Sequence, residues 1–255
     1  MLNSNTKALV SIIMAAYNSE KWIDETIESV QAQTYTNWEL LITDDASTDA
    51  TVEKALAKAR EDHRIQVFRS EINQGAAKTR NNSLQHAKGR YIAYLDSDDL
   101  WTKEKLEKQI AFMEKTGCAM CYTDYDIISG DGAYRKTVQV PSSVTYARFL
   151  KGPITCAHSI LLDSEAIDRS LMMMPDIRRG QDSATWLQIL KTGVTGYALH
   201  ESLAKYRRHD GSLSSNKLTA LKRTWRLYRK VEKLPLPYAC VCFVSYVINS
   251  LKKYA

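Results

Sequence analysis

Residues 96–99 form a dense acidic cluster that reads Asp96, Ser97, Asp98 and Asp99. The cluster follows residues 91–95, a run of aromatic, β-branched and aliphatic residues that is typical of a buried strand. Because an unpaired charge is costly to bury, these carboxylates should emerge at the carboxyl edge of a sheet, where open α/β folds bind ligands. Closely spaced Asp oxygens suit Mg²⁺ or Mn²⁺, with phosphate oxygens completing the shell. The alternative is an acidic turn in which Ser97 and Asp98 cap a helix that starts near Thr102.

A second acidic cluster, Asp44 and Asp45, follows another predicted strand at residues 38–43. Strand-like and helix-like segments alternate between residues 9 and 95 in the order β-α-β-α-β-α-β, with short loops between them. This order predicts an α/β fold with a mostly parallel central sheet and helices on both of its faces. The two acidic clusters then lie at the same edge of one sheet, and a single ligand lying across that edge explains both.

Local signals also predict several element boundaries. Asn18 or Ser19 is expected to cap the first helix, with Trp22 on the apolar face of that helix. A later helix is predicted to begin at Asp182, which could serve as its N-cap. The last strand is predicted at residues 194–199.

The charge of the chain is unevenly distributed. The 255 residues carry 35 Lys and Arg against 29 Asp and Glu, a formal net charge of +6. Residues 205–233 hold ten basic and two acidic residues, whereas residues 1–204 hold 23 basic and 27 acidic residues. A basic segment on an acidic body indicates an anionic partner on one side: a membrane surface, a phosphate-bearing acceptor or a nucleic acid.

The C-terminal region is predicted to form two helical segments. Residues 218–234 combine an apolar stripe with a row of Lys and Arg, residues 234–237 contain two prolines that break the helix, and residues 238–248 are mostly apolar. The last segment is too short to span a bilayer, because a spanning helix needs about 20 apolar residues. It either packs on the body or on a second subunit, or lies in a membrane interface. Its basic neighbour favours the membrane.

The number of cysteines and the first residues of the chain indicate whether the protein is secreted or stays in the cytosol. The five cysteines are an odd number, which argues against the disulfide framework of a secreted protein. The first residues lack a basic segment followed by an apolar one, so no signal peptide is predicted. These features predict a protein of the reducing cytosol.

The order and spacing of several short motifs resemble the family 2 glycosyltransferases. The match covers roughly residues 9–210, and its marks lie at residues 10–18, 33–35, 38–40, 44–49, 73–75, 80–81, 89–93 and 96–99. The resemblance implies a GT-A fold with a single nucleotide-binding domain at residues 1–210, followed by a basic, amphipathic helical extension at residues 211–255. It also implies an enzyme that moves a sugar from a nucleotide diphosphate donor, commonly UDP-linked, using Mn²⁺ or Mg²⁺ and inverting the anomeric carbon.

The same resemblance assigns the donor-binding roles by position. Tyr17 resembles the residue that stacks near the base, and Asp45 resembles the acid that holds the uracil imide, with Asp44 supporting its loop. Asp96 and Asp98 resemble the Asp-x-Asp pair, with Asp96 near the ribose and the metal and Asp98 on the metal. Ser97 lies between them and is expected to belong to the donor site.

The remaining roles concern the reaction itself. Arg80 resembles the donor-binding arginine of the family, and Asp182 resembles the base that takes the proton from the acceptor hydroxyl. Arg207 and His209 resemble a late motif that contacts or covers the donor phosphates. Gln181 stands where the family often has Glu, which removes a carboxylate beside the base but keeps the base itself.

Two other classes of protein fit part of the sequence. A nucleotidyltransferase-like enzyme also builds a metal site on an α/β sheet, but residues 10–18 contain no glycine where its phosphate loop would lie. A nucleic-acid-binding protein could use residues 205–233, but the acidic clusters of the body argue against nucleic acid as a partner. We therefore expect a hexosyltransferase of bacterial surface polysaccharide or lipopolysaccharide synthesis, acting on a glycan or lipid-linked oligosaccharide. We expect it in the cytoplasm, peripheral on the inner face of the cell membrane, with a homodimer as a further possibility.

Overall fold

The computed structural model describes residues 7–152, 156–177, 179–209 and 217–254. Four strands form the parallel core of the sheet: β1 (Val10–Ala16), β2 (Trp38–Asp44), β3 (Ile65–Arg69) and β4 (Tyr91–Tyr94). Three helices connect them: α1 (Ile23–Gln31), α2 (Thr51–Glu61) and α3 (Ala76–His86). β1 pairs in parallel with β2 and with β4, and β2 pairs in parallel with β3. The predicted β-α-β-α-β-α-β order is confirmed.

The second half of the chain extends this sheet. Its remaining strands are β5 (Leu100–Trp101), β6 (Met120–Ser129), β7 (Tyr134–Val138), β8 (Ser143–Val144), β9 (Leu161–Asp163) and β10 (Gly196–Arg208). Its helices are α4 (Lys105–Thr116), α5 (Tyr146–Phe149), α6 (Gln181–Leu190), α7 (Lys217–Arg226) and α8 (Leu236–Tyr254). The strand order is β3-β2-β1-β4-β9-β6-β10-β5, with β7 beside β6 and β8 beside β10. β9 runs antiparallel to both of its neighbours, so it joins the parallel half to the rest.

A buried polar contact fixes the start of the parallel core. The Ser11 hydroxyl donates to the Glu39 carboxylate over 2.6 Å, and the Gly89 N–H donates to the Ser11 oxygen over 2.8 Å. A Cβ at Gly89 would lie 2.6 Å from the carbonyl oxygen of Leu9 and from the amide nitrogen of Ser11. Only glycine therefore allows the chain to enter β4 this close to β1.

Three predicted boundaries are wrong, and each has a physical reason. Neither Asn18 nor Ser19 caps α1, which begins after Trp22 without a side-chain cap, because the Asn18 amide oxygen accepts the Thr48 N–H and the Ser19 hydroxyl bonds Tyr17 and Ser97. Gly180, with φ of 82°, occupies the N-cap of α6, so Asp182 lies in the first turn. The helix expected near Thr102 begins at Lys105 and Glu104 precedes it, so neither Ser97 nor Asp98 is its cap.

The last strand is also longer than predicted. β10 reaches Arg208, and its pairing with β6 shifts register between Leu199 and Ala204. These irregular residues interrupt the alternation of side chains, which hid the second half of the strand in the sequence. As a result, β10 carries its last residues to the same sheet edge as the acidic clusters.

The C-terminal helices pack on the body along one face. The Tyr228 hydroxyl donates to the carbonyl oxygen of Leu150, and the rings of Trp225 and Phe243 meet edge to face with centroids 5.3 Å apart. In the part of the chain that the structure describes, no helix is long and apolar enough to cross a membrane. The predicted domain boundary at residue 210 lies outside the described residues and stays a prediction.

Lys105, the first residue of α4, is completely buried. Its ammonium donates to the Gln109 side chain and lies 4.1 Å from the centre of the Trp101 ring. Burial lowers the pKa of Lys105 to about 7, because the low-dielectric core disfavours the charged form. No acidic side chain pairs with it among the described residues.

We expect Lys105→Met to stabilise the protein by about 1–4 kcal/mol at pH 6, because it removes a buried charge and keeps the volume. The folded pKa lies below the unfolded one, so the wild-type protein gains stability as the pH rises from about 7 towards 10. The advantage of the variant should therefore shrink at pH 9. Urea denaturation at both pH values measures it. Lys108→Met, on the same helix but partly exposed, should change the midpoint little, and a destabilised Lys105→Met at pH 6 would contradict the account.

Candidate active site

The loop after β4 turns its four polar side chains alternately outwards and inwards. The Asp99 N–H donates to the Asp96 carbonyl oxygen over 3.1 Å, which closes a tight turn between β4 and β5. The side chains of Asp96 and Asp98 remain 34% and 28% exposed, whereas those of Ser97 and Asp99 are buried. Two of the three carboxylates are thus available to a ligand, and the third belongs to the protein interior.

Asp96 is paired with Arg80, which projects from α3. The Arg80 guanidinium donates to the Asp96 carboxylate, and the side chain of Arg80 is almost fully buried. Burial alone would lower the pKa of Arg80, but the charges of Asp96 and, further off, Asp182 outweigh it and raise that pKa. Burial likewise opposes ionisation of Asp96, and Arg80 overcomes it, so the pKa of Asp96 lies below its ordinary value. Both groups are charged at neutral pH.

Asp98 faces a histidine from the end of β10. The His209 Nε2 atom lies 3.0 Å from an Asp98 carboxylate oxygen, and the His209 ring stacks on Trp22 with centroids 4.2 Å apart. Burial and the neighbouring charges of Asp99 and Asp96 raise the pKa of Asp98 to about 7, although His209 opposes the rise. The surroundings of Asp98 therefore disfavour its charged form, which a bound cation would stabilise.

Asp99 fixes the acidic loop at residues 96–99 from the protein interior. One of its carboxylate oxygens accepts the Arg207 N–H over 2.8 Å, and the other lies 2.7 Å from His158 Nδ1. Both Asp99 and His158 are inaccessible to solvent. This buried pair fixes the turn that holds Asp96 and Asp98 at the surface.

Arg207 connects the acidic loop to two further elements. Its guanidinium donates to the Asp98 carbonyl oxygen over 2.8 Å, to the Gly130 carbonyl oxygen over 3.1 Å and to the Glu25 carboxylate over 2.6 Å. The side chain is 1% exposed. These bonds occupy the guanidinium in the structure, so the predicted contact of Arg207 with donor phosphates stays a prediction.

The second acidic cluster shapes the neighbouring loops. Both Asp44 carboxylate oxygens accept hydrogen bonds from Ser47, one from its N–H at 2.9 Å and one from its hydroxyl. The Asp45 oxygens accept the N–H groups of Gln74 and Gly75 over 2.7 and 2.8 Å. Asp44 and Asp45 are both buried, so in the structure they hold loops together.

Tyr17 and Ser97 differ in what they offer to a ligand. Tyr17 is 49% exposed at the end of β1, next to the Asp45 loop. The Ser97 hydroxyl is buried against the Ser19 hydroxyl, 2.6 Å away. Tyr17 can therefore contact a ligand directly, whereas the predicted donor contact of Ser97 stays a prediction.

Asp182 lies at the start of α6, in the same region of the site as Arg80. α3 fixes the segment before α6, because the Asn81 side chain exchanges hydrogen bonds of 2.7 and 2.8 Å with the backbone of Met174. Gly180 then turns the chain into α6, which carries Asp182 half-exposed in its first turn. The charge of Asp182 acts on Arg80, so the two share one region of the site. Trp186, four residues on, is buried in the core.

A divalent cation fits at Asp98 with help from a ligand. The described residues contain no group of three or more His, Cys, Asp or Glu side chains arranged to hold a metal ion. Asp98 and His209 supply two donors on one side, where a cation would stabilise the charged form of Asp98. Mg²⁺ and Mn²⁺ are often held in this manner, by one or two protein carboxylates with phosphates and water completing the shell.

Comparison with known proteins decides the family. The family model for glycosyl transferase family 2 matches residues 11–168. The chain belongs to this family. It is 44% identical over 251 residues to TuaG of Bacillus subtilis (strain 168), named as a teichuronic acid biosynthesis glycosyltransferase, and the match covers 98% of this chain and 99% of TuaG.

Other comparisons support the family and its fold. The Escherichia coli protein WfgD is 39% identical, with 97% of this chain and 95% of WfgD covered, and is named as a UDP-Glc:alpha-D-GlcNAc-diphosphoundecaprenol beta-1,3-glucosyltransferase. The structure of S. aureus TarS 1-349 with UDP-GlcNAc matches with a TM-score of 0.72 at 19% identity, covering 96% of this chain and 73% of that chain. The mannosyltransferase PcManGT from Pyrobaculum calidifontis, in complex with GDP-Man and Mn²⁺, matches with a TM-score of 0.71 at 16% identity, covering 94% of this chain and 69% of that chain. The predicted GT-A fold is confirmed.

Several contacts of this glycosyltransferase join residues that no local sequence pattern brings together. Trp22 was predicted to lie on the apolar face of α1, yet it precedes the helix and stacks on His209. Glu25 and His158 had no predicted role, although they hold Arg207 and Asp99. Their partners lie 59 or more residues away in the chain, so no local pattern could reveal these contacts.

We expect Arg207→Leu to lower the free energy of unfolding by roughly 2–4 kcal/mol, because it leaves the Asp98 carbonyl oxygen and Glu25 without their donor and removes one of the two donors to the Gly130 carbonyl oxygen. Urea denaturation measures the change. Glu25→Gln is the matched control: its side chain is more than half exposed and keeps an acceptor, so it should cost less than about 1 kcal/mol. An Arg207→Leu protein as stable as the wild type would show that the guanidinium does not brace the loop.

Proposed function

We propose that this glycosyltransferase transfers a hexose from a UDP-sugar to a lipid-diphosphate-linked acceptor, with inversion, in the synthesis of a bacterial surface polysaccharide. The names of two relatives support this, since TuaG is named for teichuronic acid biosynthesis and WfgD for transfer of glucose to a diphosphoundecaprenol-linked sugar. The observation that carries the proposal is the arrangement at the sheet edge. Two partly exposed carboxylates, Asp96 and Asp98, lie in one turn, Arg80 pairs with Asp96, and the charge of Asp182 also acts on Arg80.

The base of the donor would lie at the ends of β1 and β2. Tyr17 is the exposed aromatic residue there and offers its ring for stacking. Each Asp45 oxygen accepts one backbone N–H, which leaves a lone pair for the uracil imide. Asp44 and Ser97 would act by holding the loops around this pocket. Asp96, fixed by Arg80, would accept a ribose hydroxyl.

Asp98 and His209 would hold the divalent cation, with Asp96 close by. When bound, Mn²⁺ or Mg²⁺ would neutralise the diphosphate and stabilise UDP as the leaving group. The chain itself prepares this place through Arg207, which fixes the Asp98 backbone, and Trp22, which supports the His209 ring. Metal dependence is therefore part of the proposal.

Asp182 would act as the general base. The acceptor hydroxyl oxygen forms a bond to the anomeric carbon, the bond from that carbon to the UDP oxygen breaks, and the hydroxyl proton passes to Asp182. One displacement with one base inverts the anomeric carbon. Arg80 remains positively charged, because the nearby carboxylates raise its pKa, and can orient the donor between the acidic loop and the base.

A lipid-linked acceptor also implies a place of action. We infer that the protein works as a peripheral protein at the cytoplasmic face of the cell membrane, where its basic C-terminal helices would meet anionic lipid. The homodimer expected from the sequence stays a prediction.

We expect Asp182→Asn to reduce sugar transfer by about 10²–10⁴-fold, because the amide cannot accept the acceptor's proton. The assay follows transfer from a panel of UDP-sugars to a lipid-diphosphate-linked sugar with Mn²⁺ present. Asp182→Asn should leave the KM for the donor within about threefold of the wild-type value, since the donor does not need the base.

Asp176→Asn is the matched control for this assay. Asp176 lies on the segment before α6 with an exposed side chain that pairs with Lys78, so its replacement should leave transfer unchanged. Transfer by Asp182→Asn at the wild-type rate would place the base elsewhere. Absence of transfer from every UDP-sugar by the wild-type enzyme would contradict the proposed donor class.

A further inference from the structure

α8 presents an apolar outer face. Val241, Val244 and Ile248, spaced three and four residues apart, are 57%, 59% and 48% exposed, and we call them the α8 stripe. Ala239 and Cys242, on the other side of the helix, are completely buried against the body. The same helix thus uses one apolar face for packing and leaves a second one at the surface, which monomeric soluble proteins rarely do over a contiguous patch.

The neighbouring helical segment presents a row of positive charge. The basic row consists of Lys222, Arg226, Lys230 and Lys233, all of which are exposed. Glu232 is the one acidic residue between residues 217 and 255. It does not offset the row, because its carboxylate already accepts from Tyr146 over 2.6 Å and pairs with Lys191 over 3.1 Å.

Both surfaces belong to helices that adjoin the catalytic region. α7 and α8 contact each other through Trp225 and Phe243. α7 also lies against the start of α6, since the Arg223 Cγ and Cδ atoms come within 3.2 Å of the position that a Gly180 Cβ would occupy. Gly180 is the N-cap of the helix that carries Asp182. The α8 stripe and the basic row therefore belong to helices that contact the start of α6, close to Asp182.

We propose that the α8 stripe and the basic row form a docking surface for a membrane that contains anionic lipid. Apolar side chains of an amphipathic helix enter the boundary between headgroups and acyl chains, and adjacent Lys and Arg attract the anionic headgroups. A second copy of the chain suits this surface poorly, because a two-fold contact brings the same patch of both copies together and crowds the two basic rows. This docking surface deepens the proposed function. One consequence rests on that function: docking would present a lipid-linked acceptor beside Asp182.

Vesicle sedimentation with the full chain tests the proposal, without donor, acceptor or metal. We expect binding to vesicles of phosphatidylcholine with one third phosphatidylglycerol and not to phosphatidylcholine alone, with loss of binding at high salt. Replacing Lys222, Arg226 and Lys230 by Gln should weaken the partition roughly 100-fold, about fivefold per cation. Replacing Val241, Val244 and Ile248 by Ser should weaken it at least about tenfold.

Matched variants control for charge and exposed apolar area. Lys88, Lys103 and Lys115 are exposed lysines elsewhere, and their triple replacement by Gln should leave binding within about twofold of the wild type. Ile72→Ser removes an apolar side chain that is 70% exposed on another face and should also have no effect. Thermal melts of all variants establish that they are folded.

Three outcomes would overturn the proposal. They are no binding of the wild-type chain to anionic vesicles at low salt, equal losses in the matched controls, or a stable dimer that the Val241, Val244 and Ile248 replacements dissociate. The last result would assign the α8 stripe to a second copy of the chain. Vesicle binding needs no catalysis, so a protein that fails to bind vesicles would contradict the docking surface and not the proposed reaction. A protein that binds vesicles but transfers no sugar would contradict the reaction and not the docking surface.

Discussion

The repulsion among the carboxylates of Asp96, Asp98 and Asp99, just after β4, is the constraint on which the rest of the site depends. Three carboxylates within four residues repel one another, and a sheet edge inside a folded domain offers them little water. Each carboxylate has a basic partner from a different part of the chain. Arg80 of α3 pairs with Asp96, His209 after β10 pairs with Asp98, and the buried His158 pairs with Asp99. The partners differ in their effect: Arg80 holds the pKa of Asp96 below its ordinary value, whereas burial and neighbouring carboxylates raise the pKa of Asp99 and raise that of Asp98 to about 7. Of the two carboxylates whose pKa is raised, Asp98 is the partly exposed one, so a metal ion bound there would stabilise its charged form.

The contacts of Arg80 and Arg207 bring distant parts of the chain together in one site. The charges of both Asp96 and Asp182 act on Arg80, and Asn81 of α3 bonds the segment before the helix that carries the proposed base, so α3 connects the acidic loop to that helix. Arg207 joins the loop to α1 and to the turn after β6 through three bonds from a single buried guanidinium. Buried, hydrogen-bonded groups of this kind hold a site rigid, which a displacement reaction between two bound substrates requires.

The sequence predicts the parallel half of the fold well because its signals are local. Apolar runs that end in Asp44 and Asp96 indicate strands and a common edge, and the spacing of short motifs indicates the family. Local patterns do not tell which carboxylate faces inwards, because that depends on His158 and Arg207, 59 and 108 residues from Asp99. They also miss the end of β10, where a register shift breaks the alternation of side chains.

The most direct test of the central claim is a thermal-shift measurement with a panel of UDP-sugars, with and without Mn²⁺, on the wild-type protein and on Asp98→Ala. A ligand that binds only the folded state raises its apparent stability, by about 5 °C or more at 100 times Kd for a chain of this size. The account predicts such a shift for one UDP-sugar, only with Mn²⁺, and its loss in Asp98→Ala. A shift of equal size without the metal, or an unchanged shift in Asp98→Ala, would contradict a metal and nucleotide site at this edge of the sheet.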